Sequence, residues 1–337
     1  MLSLLASPTA NAQVKGAGAT FPSKIYERWA QSFAKVSDQQ VIYKGTGSGD
    51  GIKQITDRAV DFGGTDSPLS KDELAKRKLV QMPMLIGGIV PVLNLQGIGP
   101  GKLLLSGEVL ADILAGRISI WNDARISQLN PGLALPARAI VRVVRKDKSG
   151  TTEGFTRYLS EVSPAFKADV GFSQLPAWPG AVTMAEGNDG MVRALKATEG
   201  AIAYVSHDRV VKDGLAAVRL RNAANVAVSA SEAGFRAAIV DSDVSRKGDD
   251  LASLMNRPSP DAWPITLTSF VLIDAEPADG QRAGPTLKFL YWCYMHGDEL
   301  TRGTGFAPLP VSLQARLASR FASVKPRDGK PMNYATF

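Results

Sequence analysis

Short apolar runs alternate along this chain with longer segments in which apolar residues recur every three or four positions. The short runs are typical of buried strands, and the longer segments have the spacing of amphipathic helices. Strands are predicted at 41–45, 60–65, 88–95, 139–145, 200–205 and 268–273. Helices are predicted at 22–35, 49–58, 108–115, 151–160, 189–197, 231–239 and 284–296. This alternation favours an α/β fold with a mostly parallel sheet.

Composition agrees with an ordinary globular protein of about two domains. The chain has 337 residues, of which 45% are hydrophobic and 21% are charged. Its net charge of +7 suits an anionic partner, but a solvated basic surface would give the same value, and both interpretations stay open. The sequence has no run of Lys and Arg interleaved with aromatic residues, so a nucleic-acid partner is not expected.

Cysteine and histidine are scarce. The one cysteine, Cys293, lies in an apolar helical segment, where a small buried side chain is expected rather than a nucleophile. The two histidines, His207 and His296, have no spacing typical of a zinc site. The sequence therefore predicts no metal ion and no cofactor.

The first twelve residues combine a short apolar stretch with Ala10-Asn11-Ala12, an A-x-A cleavage pattern. A basic region before the apolar stretch is missing. We therefore interpret residues 1–12 as a signal-peptide remnant, and a disordered N-terminal segment is the alternative. No cysteine follows the cleavage pattern to carry a lipid anchor, and no apolar run is long enough to span a bilayer. A soluble, exported protein is expected.

Three loops rich in small and hydroxyl-bearing residues each precede a predicted helix. They contain Thr20-Phe21 before Pro22, Ser48, and Ser149-Gly150-Thr151. A helix N-terminus presents free N–H groups and the positive end of a dipole, and Ser and Thr add further donors. Such loops can bind a tetrahedral oxyanion. Because Ser and Thr are also common helix caps, spacing alone leaves plain capping as an alternative.

Motifs of nucleotide binding and serine hydrolysis do not fit these loops. The stretch GTGSGDG around Ser48 has neither the P-loop order nor the order G-x-G-x-x-G. Neither Ser48 nor Ser149 lies in a G-x-S-x-G elbow.

Four segments, in order, carry a resemblance to a known family. They are GAGATFPSKIYERW (16–29), GTGSGDGIKQITDRAVDFGGTDSPLS (45–70), RKDKSGTTEGFTRYL (145–159) and DAWPITLTSFVLI (261–273). Together they strongly resemble the periplasmic phosphate-binding proteins that feed ABC-type phosphate importers. The resemblance extends from about Val14 to Tyr334.

The resemblance implies an α/β binding protein of type II, with two lobes that close over one phosphate in the cleft between them. The chain would cross between the lobes near 84–94 and 258–270. Lobe 1 would then be discontinuous, and the predicted domains are 13–86 plus 265–337 for lobe 1 and 87–264 for lobe 2.

The resemblance also implies a set of phosphate-binding residues. Asp61 would be the acidic acceptor, Arg145 the cation that touches the anion, and Asp147 the residue that orients Arg145. Backbone N–H and hydroxyl donors complete the set: Thr20, Phe21, Ser48, Ser149, Gly150 and Thr151. Asp50 departs from the family pattern, which commonly has Gly or Ser there, and its carboxylate is expected to face away from the anion.

The function implied by the resemblance is that of a non-enzymatic receptor, a monomer in the periplasm. It would capture inorganic phosphate and deliver it to the membrane permease and ATPase subunits of an ABC importer. A binding protein for another oxyanion, such as sulfate or molybdate, is one alternative, and Asp61 would discriminate, because a fully deprotonated anion has no proton to donate. A phosphatase or hydrolase is a less favoured alternative.

Overall fold

A computed structural model describes residues 13–249 and 251–335. The strands of the described residues are β1 (Val14–Gly18), β2 (Val41–Gly45), β3 (Phe62–Thr65), β4 (Leu79–Asn94), β5 (Leu104–Leu105), β6 (Val141–Arg145), β7 (Thr183–Ala185), β8 (Ala201–Ser206), β9 (Ala216–Ala217), β10 (Arg219–Arg221), β11 (Ala227–Val228), β12 (Thr266–Asp274) and β13 (Phe306–Ala307).

The helices are α1 (Ser23–Phe33), α2 (Ser48–Thr56), α3 (Lys71–Arg77), α4 (Gly107–Leu114), α5 (Ala124–Leu129), α6 (Gly150–Val162), α7 (Pro164–Asp169), α8 (Gly187–Ala197), α9 (His207–Asp213), α10 (Glu232–Val240), α11 (Asp243–Arg246), α12 (Gly280–Thr301) and α13 (Val311–Ala318). A short 3₁₀ helix follows at Ser319–Ser323.

Each strand and helix predicted from the sequence is present; β2 has the predicted bounds, and the bounds of the others are shifted. The largest shift is in β4, which begins nine residues before the predicted start at 88 and is continuous to Asn94. Strand β1 was not predicted, because its sequence VKGAG has two glycines and one β-branched residue. Its place between β2 and β3 is fixed by pairing with both neighbours.

The main sheet has the strand order β2-β1-β3-β12-β4-β8-β6-β7. The outer strands pair in parallel: β1 with β2 and β3, and β6 with β7 and β8. In the middle, however, β12 is antiparallel to β3 and β4, and β4 is antiparallel to β8. The prediction of a mostly parallel sheet was therefore wrong for the centre, because an apolar run marks a buried strand but not its direction.

Strand β4 divides the molecule into two lobes. Its residues up to Gly88 pair with β12, and its residues from Ile89 onward pair with β8. Here lobe 1 means β1–β3, β12 and the helices α1, α2 and α12 that pack beside them, and lobe 2 means β6–β8 with α4, α6 and α8. The indole Nε1 of Trp263 donates to the carbonyl of Ile89 at 3.0 Å, at the point where the partner of β4 changes.

The two lobes share one continuous apolar core along β4. In lobe 1, Tyr43 and Phe62 stack on one another beneath α1. Cys293 is buried on α12, as predicted for a small apolar side chain. Within the described residues no helix has both the length and the apolar character needed to cross a membrane. The predicted signal-peptide remnant lies outside the described residues, and the predicted lobe boundaries stay a prediction.

Candidate functional site

The candidate site lies where the parallel strands of lobe 1 end. Strands β1, β2 and β3 run in the same direction, so their carboxyl ends meet at one edge of the sheet. The loops that leave this edge carry Thr20, Ser48 and Asp66. Two of these loops continue directly into α1 and α2, so two helix N-termini point toward the same place.

Side chains fix these two helix starts. Phe21, which is fully buried, packs edge to face on Phe306 with 5.2 Å between the ring centroids. Ser48 is the first residue of α2, and its Oγ accepts a hydrogen bond of 3.1 Å from the backbone N–H of Asp66. The Ser48 hydroxyl proton can therefore be donated to a ligand.

Lobe 2 contributes the end of β6 and the start of α6. Ser149 caps α6, and its Oγ accepts from the backbone N–H of Thr152 at 3.1 Å. Gly150 faces lobe 1 so closely that a Cβ atom there would lie 2.5 Å from the Oγ of Ser48 and 2.8 Å from the Cβ of Asp66. A glycine is therefore required for the two helix N-termini to approach each other.

Arg145 and Asp147 form a buried pair at this edge of lobe 2. The Nε of Arg145 donates to Asp147 Oδ1 at 2.7 Å, and the Nη2 donates to Oδ2. Asp147 also accepts from the backbone N–H of Gly187 at 3.0 Å. Burial alone would raise the pKa of Asp147, but the hydrogen bonds and charge of Arg145 bring it below its ordinary value. The carboxylate is therefore ionised and holds the guanidinium in one orientation.

The remaining nitrogen of Arg145 is available to a ligand. The side chain of Arg145 is 1% exposed, and its Nη1 has no hydrogen-bond partner among the described residues. Buried donors are normally satisfied, and an unpaired one at a cleft is best explained by a ligand that accepts from it.

Asp66 is the acidic acceptor of this cluster. Its Oδ1 accepts from Ser269 Oγ at 2.8 Å, and its Oδ2 accepts from Thr151 Oγ1 at 3.2 Å, across the cleft. Burial raises the pKa of Asp66 to about 6, and these two hydrogen bonds and the charge of Arg145 limit the increase. Each carboxylate oxygen has a second lone pair, so Asp66 can still accept a hydrogen bond donated by a ligand.

Asp61 does not lie in this cluster, contrary to the sequence-based assignment. It precedes β3, and its Oδ2 accepts from the backbone N–H of Lys15 at 2.8 Å, at the amino end of the sheet. The strand between Asp61 and Asp66 separates them by about 16 Å at ~3.3 Å per residue. Asp61 instead lines a groove on the far side of lobe 1, with Arg58 and Asp274.

The sequence did hold the signal for Asp66. In VDFGGTDSPL, the four residues of β3 separate two aspartates, Asp61 before the strand and Asp66 after it. Since Thr20 and Ser48 both follow strands, an acidic residue that joins them must also follow one. Seven of the other predicted site residues meet at the cleft: Thr20, Ser48, Arg145, Asp147, Ser149, Gly150 and Thr151. Phe21 follows Thr20, and its ring lies in the core.

The cleft continues beside the cluster as a polar cavity of about 350 Å³ lined by both lobes. Thr20 and Asp147 belong to the cluster and also line this cavity. The Nδ2 of Asn188 reaches Thr20 Oγ1 across it at 3.4 Å, a long contact. Asp50, by contrast, accepts a hydrogen bond from Gln54 one turn further along α2. Within the described residues no group of His, Cys, Asp and Glu side chains is placed to hold a metal ion.

Together these features suit a small oxyanion that carries a proton. Ser48, Arg145, Ser149 and Thr151 are each 1% exposed, so a ligand among them would be removed from water. A single guanidinium, already paired with Asp147, supplies only part of the compensating charge, and fixed dipoles supply the rest. Asp66 adds an acceptor, which an anion without a proton could not satisfy.

Known proteins resemble this chain over most of its length. The family model of the PBP superfamily domain matches residues 5–295. The phosphate-binding protein PstS of Xylella fastidiosa (strain Temecula1 / ATCC 700964) is 39% identical over 94% of this chain and 87% of its own length. The PstS of Haemophilus influenzae (strain ATCC 51907 / DSM 11121 / KW20 / Rd) is 36% identical over 95% of this chain and 96% of its own length.

Solved structures show the same fold. The phosphate-binding protein from Stenotrophomonas maltophilia has a TM-score of 0.71 at 22% identity, with 92% of this chain and 94% of that chain covered. A high-affinity periplasmic phosphate-binding protein solved with phosphate bound has a TM-score of 0.69 at 23% identity, with 91% and 93% covered. This chain therefore belongs to the PBP superfamily and, within it, to the PstS family of phosphate-binding proteins.

Proposed function

We propose that this protein captures inorganic phosphate in the cleft between its lobes and delivers it, in the periplasm, to the permease and ATPase subunits of an ABC-type importer. It would act by binding alone, without turnover. The observation that carries the proposal is the buried convergence of Arg145 Nη1, two hydroxylated helix starts from opposite lobes and the acceptor Asp66.

In this proposal Thr20, Phe21 and Ser48 donate to the phosphate from lobe 1, and Ser149, Gly150 and Thr151 donate from lobe 2. Arg145 supplies the cation, oriented by Asp147. Asp66 takes the role that the sequence assigned to Asp61. Phosphate near neutral pH carries at least one proton, which a buried carboxylate can accept in a hydrogen bond.

Selectivity against sulfate follows from Asp66. Sulfate has the same shape and charge as HPO₄²⁻ but no proton, so its oxygen would face the carboxylate of Asp66 acceptor to acceptor. Sulfate would lose a hydrogen bond to a charged group, which contributes ~1.5–3 kcal/mol, and would add repulsion between two buried acceptors. Because ~1.4 kcal/mol corresponds to tenfold in affinity, we expect phosphate to be preferred more than about a hundredfold.

Calorimetric titration with phosphate, sulfate and arsenate tests the proposal, with two matched variants. Asp66→Asn can donate as well as accept, so it should keep phosphate binding while narrowing the preference for phosphate over sulfate. Asp61→Asn should leave that preference unchanged. Equal affinities of the unaltered protein for phosphate and sulfate would instead support a general oxyanion-binding protein, and hydrolysis of a phosphate ester would support an enzyme.

A further inference from the structure

A carboxylate of lobe 2 binds a hydroxyl of lobe 1 beside the anion site without belonging to it. Ser67, next to Asp66, donates from Oγ to Glu153 Oε2 at 2.7 Å. Ser67 is buried, and the side chain of Glu153 is 20% exposed. The contact joins the loop after β3 to the first turn of α6, so it can form only when the lobes meet.

The surroundings hold both partners in place. The backbone N–H and carbonyl of Ser67 are each bonded to Thr65 Oγ1 at 3.0 Å, which leaves its hydroxyl as the group directed at lobe 2. The second oxygen of Glu153, Oε1, accepts from Arg157 Nη2 at 2.9 Å, one turn further along α6. A hydrogen bond to an ionised acceptor is roughly twice as strong as one between neutral groups.

Contacts between the lobes are unevenly distributed around the site. On the side of Glu153, the lobes make a second contact in addition to that of Ser67. The backbone N–H of Gly49 donates to the carbonyl of Lys148 at 3.1 Å. On the opposite side lies the polar cavity, where Asn188 and Thr20 make the long contact of 3.4 Å. The hydrogen bond of Ser67 to Glu153 therefore lies beside the anion site, has a carboxylate as its acceptor and involves no predicted ligand residue.

We infer that Ser67 and Glu153 form an interlobe latch that slows the release of phosphate without touching it. The inference rests on the proposed function. A contact present only in the closed state lowers the free energy of that state and so acts on dissociation, whereas encounter with the open protein is unaffected. Glu153 is thus a positioning residue with two opposing effects. Its negative charge disfavours binding of the anion nearby, and its hydrogen bond to Ser67 slows release of the anion.

Four variants separate the hydrogen bond from the charge. Ser67→Ala removes the hydroxyl and keeps the charge, and Glu153→Ala removes both. Glu153→Gln keeps an acceptor for Ser67 and removes the charge, and the double variant Ser67→Ala/Glu153→Ala completes a cycle. Glu161→Ala, an exposed carboxylate further along α6, is the matched control.

The measurement is the release of radiolabelled phosphate into an excess of unlabelled phosphate, together with the association rate and the thermal midpoint without phosphate. Ser67→Ala should release phosphate about tenfold faster, as expected for the loss of a charge-assisted hydrogen bond. Its association rate and its midpoint without phosphate should match those of the unaltered protein.

The double variant should release phosphate no faster than the faster single variant. Glu153→Gln should be slower to release than Glu153→Ala, and Glu161→Ala should be unchanged.

Two results would overturn the inference while the proposed function stands: unaltered release from Ser67→Ala, or effects of the two single alanine variants that multiply in the double variant. If the unaltered protein binds no phosphate, the proposed function fails first, and the latch fails with it.

Discussion

At the scale of single residues, the Arg145–Asp147 pair is predicted to act as one unit. Arg145→Ala removes the cation, so phosphate affinity should fall at least about a hundredfold, as expected for charged hydrogen bonds lost in a buried site. Asp147→Ala leaves the guanidinium without its orienting partner and should cost about tenfold. Once Arg145 is gone, removing Asp147 should cost little more. A calorimetric double-mutant cycle measures this coupling.

The neighbouring pair Lys146–Glu186 provides the control for this cycle. Its side chains are 53% and 69% exposed, and such surface pairs contribute ~0–1 kcal/mol. Lys146→Ala should therefore change phosphate affinity by less than about threefold. Strictly additive losses for Arg145 and Asp147 would show that the two side chains bind independently.

A second residue-scale prediction concerns Asp208, a buried carboxyl at the start of α9. Burial raises its pKa from 3.8 to about 6, so the folded state holds its proton more tightly than the unfolded chain. Its favourable contribution is complete below the ordinary pKa and is lost as pH rises through about 6. As pH rises from about 4 to about 8, the unaltered protein should lose this contribution, whereas Asp208→Asn has none to lose. Over this range the free energy of unfolding of Asp208→Asn should therefore rise by ~1–3 kcal/mol relative to that of the unaltered protein.

Denaturant unfolding at the two pH values measures this difference. Asp57→Asn, which removes an exposed carboxylate paired with Lys53, is the control and should show no comparable gain. A difference between Asp208→Asn and the unaltered protein that does not change with pH would mean that Asp208 is not the titrating group.

At the scale of elements, the position of α2 depends on a glycine contact with the sheet. A Cβ atom on Gly51 would lie 2.5 Å from the Cα of Gly18 and 2.6 Å from the carbonyl oxygen of Gly64. Gly51→Ala should therefore push the start of α2, and Ser48 with it, away from the cleft. We expect a loss of stability of ~1–3 kcal/mol and a loss of phosphate affinity of about tenfold or more.

Thermal unfolding and calorimetry measure the two losses. Gly99→Ala is the control and should change neither quantity, since no described residue other than its chain neighbours has an atom within 4 Å of the added Cβ. Unchanged phosphate affinity in Gly51→Ala would show that the contact between α2 and the sheet does not set the position of Ser48.

At the scale of the whole molecule, the two lobes should close on phosphate. Ser48 and Asp66 come from lobe 1 and Arg145 and Ser149 from lobe 2, so the full set of contacts exists only when the lobes meet. Small-angle scattering should show a smaller radius of gyration with phosphate than without it. Arg145→Ala at the same phosphate concentration should stay as extended as the unaltered protein without ligand. Identical profiles with and without saturating phosphate would contradict closure.

The sequence by itself predicted most of the longer strands and helices, and its resemblance to a known family implied most of the candidate site. The alternating pattern located the buried strands, and hydroxyl-rich loops before Ile25, Ile52 and Phe155 marked the helix starts that carry Thr20, Ser48 and Ser149. These features are readable because capping and amphipathic spacing are properties of neighbouring residues.

Only the tertiary structure decided which of these features meet. Asp61 and Asp66 lie in one motif, but the direction of β3 places one at each end of the sheet. The antiparallel pairing of β4 and the contact of Ser67 with Glu153 join residues far apart in the chain. Such features depend on strand direction and on how the lobes approach each other. The spacing of apolar residues does not encode either of them, because both are fixed by long-range packing.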